Sequence, residues 1–234
     1  MADREPTRRS KQRRGANLLS SRIARLIFAS NLAGWGTFGG ANLELDAIAG
    51  YSHDFGGTKL DGGVTWYTYP GGFSESDVVE FYAKASHGIG PASATVGVFY
   101  APKQTSLGKI YDNGAAYAAG TPTNPKRWDN LYLTGDLAVG VPETPLTLKG
   151  HVGYSKGNPG LGPNGTSLSP TGEYVDYSVG ADYVFLKNLT LNVSFVGTNI
   201  GLSESAYLAP NFRESTDGSS ISKGRLVAGV TVAF

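Results

Sequence analysis

The sequence predicts an all-β fold, an antiparallel transmembrane β-barrel, and three observations predict it. Polar and apolar residues alternate with a period of two almost everywhere after Gly40. The candidate strands are mostly ten to thirteen residues long. Short and long connections alternate along the chain.

Ten candidate strands run near 22–31, 41–53, 58–69, 77–87, 91–101, 128–140, 145–155, 173–185, 188–198 and 223–234. In the third, Leu60, Val64 and Trp66 oppose Lys59, Asp61, Thr65 and Tyr67. In 128–140, Leu131, Leu133, Leu137 and Val139 oppose Tyr132, Thr134 and Asp136. The clearest case is 146–155, where Leu146, Leu148, Gly150, Val152 and Tyr154 share one face and Thr147, Lys149, His151, Gly153 and Ser155 the other. Leu191, Val193 and Phe195 oppose Thr190, Asn192 and Ser194, and the last strand sets Leu226, Ala228, Val230, Val232 and Phe234 against Arg225, Val227, Gly229 and Thr231. A soluble protein's strand has about 5–6 residues. A tilted strand that crosses a bilayer needs about 9–11, so length separates the two readings where hydropathy does not.

The connections at 55–57, 87–90, 141–144 and 186–187 are short, and those at 32–40, 70–76, 102–127, 156–172 and 199–222 are long. Loops sorted by end in this way are the asymmetry of a bacterial outer-membrane barrel, with short periplasmic turns and longer outer loops.

Composition agrees. The 234 residues include 33 glycines, 13 tyrosines, 10 phenylalanines and 3 tryptophans, a mixture suited to strands joined by tight turns. No cysteine is present, which excludes disulfides and thiolate metal sites. The net charge of +1 argues against a nucleic-acid partner for the chain as a whole. Its basic residues crowd the start, at Arg4, Arg8, Arg9, Lys11, Arg13, Arg14, Arg22 and Arg25. Residues 1–21 therefore read as a basic, disordered segment ahead of a single domain over 22–234. No apolar run approaches the roughly 20 residues of a membrane helix. Arg22 and Arg25 interrupt 18–33, so the start does not read as a signal peptide.

A membrane barrel turns its apolar face outward and can keep a polar interior. The candidate pore-lining residues are Glu44, Asp46, Lys59, Asp61, Glu80, Lys84, Asp136, Lys149, His151, Asp176, Asp182 and Arg225, which recur on several strands. Tyr51, Trp66, Tyr69, Tyr100, Trp128, Tyr154, Tyr183 and Phe234 lie near strand ends, where interfacial aromatic girdles form, although Tyr69 is out of phase with Trp66. Catalytic chemistry finds no foothold. His53, His87 and His151 have no metal-ligand spacing, no Walker loop or dinucleotide fingerprint occurs, and no nucleophile–base set stands out. Neither an enzyme nor a cofactor is expected.

The chain resembles the TorF family of bacterial outer-membrane porins. The resemblance rests on Asn31 through Gly36, Tyr67 through Gly72, Ala92 through Val98, Tyr100 through Gln104, Asp129 through Leu133, Gly153 through Gly165 and Ser203 through Tyr207. It covers residue 27 or so to the end. It implies a bacterial outer-membrane location and passive diffusion of small polar solutes or ions, without catalytic residues. It also implies a twelve-stranded family fold preceded by a signal peptide, so the start of this chain reads as atypical or truncated. Partners on this reading are outer-membrane lipid and the barrel assembly machinery, for which the terminal Phe234 is the expected signal. A plugged structural or adhesive barrel and a soluble secreted β-sandwich that binds ligands through its loops are the alternatives.

Overall fold

A computed structural model describes residues 21–31, 41–72, 75–111, 114–121, 126–157, 166–167, 172–201 and 219–233. Most of the basic segment at the start, and Phe234, lie outside the described residues. The strands are β1 (Ser21–Asn31), β2 (Leu43–Asp54), β3 (Thr58–Thr68), β4 (Val78–Ile89), β5 (Ala92–Tyr111), β6 (Lys126–Gly140), β7 (Leu146–Lys156), β8 (Thr166–Ser167), β9 (Glu173–Leu186), β10 (Leu189–Thr198) and β11 (Arg225–Val232), with one short helix, α1 (Gly114–Ala119).

They form one eleven-stranded antiparallel sheet in which each long strand pairs with the next in sequence, and β8 pairs with β5. Such an up-and-down order needs only hairpins, which is why tight turns suffice at one end. At the β2–β3 turn Asp54 accepts from the backbone N–H groups of Gly56 and Gly57, and both glycines adopt positive φ. Among the described residues β1 and β11 are not paired with each other, so the sheet has two free edges.

All ten expected strands are present, but two expected loops differ. The stretch 102–127, read as a loop, is partly strand. β5 continues through Tyr111, and β6 begins at Lys126. The β5–β6 register shifts between Ala101 and Gln104 and again before Lys109, which is where Pro102 breaks the alternation. On the other edge of β5, Gln104 ties the strand to β4: its amide accepts from the Val79 N–H at 2.7 Å and donates to the Val79 carbonyl at 2.8 Å. The 156–172 loop contributes β8, which pairs with Lys109 and Tyr111 of that extension.

The sheet is inside-out relative to a soluble fold. Only Ala41, Tyr69, Val78, Ala101, Leu107 and Ile200 are buried hydrophobics among the described residues, whereas Leu60, Trp66, Phe81, Val96, Leu137, Val152, Val179, Val193 and Leu226 are exposed. A soluble sandwich would bury that face.

Three aromatics repeat one device. Trp66, Tyr100 and Tyr154 are each the ninth residue of β3, β5 and β7 counted from the short-turn end. Each donates a hydrogen bond to a carboxylate just before or near the start of the following long strand: Trp66 to Asp77 at 3.2 Å, Tyr100 to Asp129 at 3.2 Å and Tyr154 to Glu173 at 2.7 Å. An amphipathic ring with its polar tip satisfied is what a bilayer interface favours.

Candidate functional site

Directly paired residues of an antiparallel sheet point to the same side. Following the registers from strand to strand therefore assigns faces without reference to side chains. Asp46 pairs with Tyr67, Asp61 with Lys84, Thr65 with Glu80, and Lys59 with both Asp54 and Ser86. Ser86 pairs with Thr95, Thr95 with Asp136, Asp136 with His151, and His151 with Ser178. Asp182 lies opposite Thr147 and Asn192, and Arg225 opposite Val196. All twelve residues singled out from the sequence, Glu44, Asp46, Lys59, Asp61, Glu80, Lys84, Asp136, Lys149, His151, Asp176, Asp182 and Arg225, fall on one face.

The structure gathers most of them into two clusters and two ion pairs. Asp136 and Asp176 flank His151, whose Nδ1 lies 2.7 Å from Asp136 and whose Nε2 lies 2.9 Å from Asp176. The Tyr132 hydroxyl joins this group, donating to both Asp176 oxygens at 3.2 and 3.1 Å. Only an imidazolium donates from both nitrogens at once, so that form satisfies both carboxylates together. Lys149 forms an ion pair with Asp182, and Lys84 stands 4.0 Å from Asp61 and 5.0 Å from the centroid of the Tyr82 ring.

The second cluster lies at the long-loop end, around Glu44, Asp46 and Glu80. Tyr67 donates to Glu80 at 3.3 Å. Tyr69, just beyond β3, is buried beside Glu44 and is not part of an exposed girdle, a correction that its odd phase foreshadows. Burial pushes its hydroxyl well above the ordinary range, and the Glu44 carboxylate adds to the shift. Lys59 and Arg225 stand apart from these groups, and Arg225 donates to the Ser220 carbonyl at 3.1 Å.

The remaining histidines do not join His151. His53 and His87 belong to the opposite face, where His53 packs edge-on to Phe55 and His87 bonds Thr58. Sequence reasoning missed Tyr82, Phe99 and Tyr174, which the registers put on the polar face, and placed Tyr132 there without naming it a candidate. Strict alternation contained that signal, but Phe99 reads as apolar and disguises it.

An all-β antiparallel sheet with charged residues on one face and exposed apolar residues on the other defines the chain as porin-like in fold. It belongs to the family described as "Bacterial protein of unknown function (Gcw_chp)", whose pattern it matches over residues 26–223. Among solved structures it is similar to the NanC porin, at 9% identity and a TM-score of 0.52, with 92% of this chain and 94% of that chain covered. A porin refined at 1.8 Å resolution matches at 12% identity and a TM-score of 0.48, covering 98% of this chain. The chain spans 66% of the length of that second porin. No curated protein matches it in sequence.

Proposed function

We propose that the chain is a channel-forming protein of the bacterial outer membrane, a porin of the TorF type, whose polar face lines a passage for small polar solutes and ions. One observation carries this reading: the registers put every candidate charge on one face, while the opposite face exposes leucine, valine and aromatics. Lipid solvates the second face and water the first.

The wall is acidic on balance. Glu44, Asp46, Asp61, Glu80, Asp136, Asp176 and Asp182 outnumber Lys59, Lys84, Lys149 and Arg225. Adding Asp54 and Arg22, on the same face by register, leaves the excess unchanged. A negative wall concentrates cations, so the channel prefers them. Reconstitution in planar bilayers under a KCl gradient tests both statements. Stepwise conductance with a cation-selective reversal potential is expected. Silent bilayers after verified insertion favour a plugged structural barrel.

A further inference from the structure

Tyr82, Phe99 and Tyr132 are register partners across β4, β5 and β6, and so stand side by side on the polar face. Successive ring centroids are 6.1 and 5.9 Å apart, with planes inclined by 31° and 47°. Glycines let the tyrosines lie along the wall. Tyr82 reaches across Gly63, its direct partner, to Gly50 one strand further, and Tyr132 lies against Gly153. A Cβ at any of these three glycines would meet the tyrosine's phenolic end. A ring laid along the wall turns one face to the passage. Polar groups flank both ends of the strip: Asp61 and Lys84 beside Tyr82, and Asp136, His151 and Asp176 beside Tyr132.

We infer that this strip is a saccharide-binding track, a reading that rests on the channel proposed above and names the solute class it takes. A pyranose has weakly polarised C–H groups on its faces and hydroxyls around its rim. The electron-rich face of an aromatic ring attracts the first. Carboxylates, an ammonium and an imidazole at the edges of the strip accept from and donate to the second. A planar aromatic solute would be held best by parallel rings. The 31° and 47° inclinations instead suit a chain of sugar rings that turns from one unit to the next. Shape and chemistry therefore favour a short oligosaccharide.

The test uses the full chain in micelles of lauryldimethylamine oxide, a detergent without a sugar headgroup, titrated with maltotriose by calorimetry. Saturable binding is expected. Phe99→Leu, which keeps bulk and removes the aromatic face, should weaken it about fivefold, and Phe99→Tyr should retain it. No saturable heat with the unaltered chain, or equal affinity in Phe99→Leu, overturns the track. Bilayer conductance is read separately. Binding without conductance rejects the channel and keeps the strip, and conductance without binding does the reverse.

Discussion

Asp136 and Asp176, on strands either side of β7, are joined through a single imidazole, with His151 nitrogens at 2.7 and 2.9 Å from the two carboxylates. Removing the ring in His151→Ala leaves two carboxylates on the polar face with no shared donor. The local potential becomes more negative. The reversal potential in a KCl gradient should move toward greater cation preference. Asp136→Lys should move it the other way, and an unchanged value in both variants would place this group off the conduction path.

The Lys149–Asp182 pair gives a second handle on selectivity. The Lys149 side chain is about half exposed, so the pair contributes little to stability, less than about 1 kcal/mol. Asp182→Asn frees a cation at the wall and should lower cation preference, and Lys149→Glu should raise it. Heat-modifiable gel mobility should stay the same in both variants. A loss of the folded band would show that the pair is structural.

Glycine keeps the wall thin beneath Tyr132. A Cβ at Gly153 would collide with the Tyr132 hydroxyl end and with Asp176, whereas one at Gly150 meets nothing within 4 Å. Gly153→Val should displace the ring toward the passage, reduce single-channel conductance and cost about 1–3 kcal/mol. Gly150→Ala should leave conductance unchanged. Equal effects from the two substitutions would refute the close-approach argument.

Gln104 ties β5 to β4 beyond their last register pair, Phe81 with Tyr100, through two bonds to Val79. Gln104→Ala removes both and should destabilise the long-loop end by about 1–3 kcal/mol. Hydrogen exchange at the Val79 amide should accelerate while amides near Ser86 stay protected. Gln104→Glu, which keeps the acceptor and loses the donor, should fall between.

Loop sorting predicts which end faces outward. A cysteine at Thr121, at the long-loop end, should react with an impermeant thiol reagent on intact cells. One at Pro142, in the β6–β7 turn, should react only after the outer membrane is ruptured. The opposite pattern would invert the topology.

Much of this architecture was legible in the residues because a strand's side-chain period is fixed by its backbone. Once Lys149 and His151 alternate with Leu148, Gly150 and Val152, a shift of one residue would move every charge to the apolar side. That is why twelve residues chosen from sequence share a face. The β5 extension was not legible, because Pro102 ends the alternation and the tie that holds the extension to β4 comes from a side chain, Gln104, that carries no strand signal. The ring strip was hidden for a different reason. Tyr82, Phe99 and Tyr132 lie 17 and 33 residues apart in sequence, and only the paired registers of three strands bring them level. His151 was visible as a polar-face residue, but its two carboxylates come from strands on either side.

In the outer-membrane barrel proposed above, Trp66, Tyr100 and Tyr154 would act together as a draught mark on a hull. From the first residue of each strand, eight steps of about 3.3 Å, inclined by about 40°, climb about 20 Å, most of the roughly 25 Å apolar band of a bacterial barrel. Each mark is fastened by a carboxylate at the long-loop end of the adjoining strand, so it cannot slide without breaking a bond. Marks on β3, β5 and β7 resist list as well as sinking. In a bilayer thicker or thinner than this waterline, the lipid deforms around the protein while the protein keeps its trim.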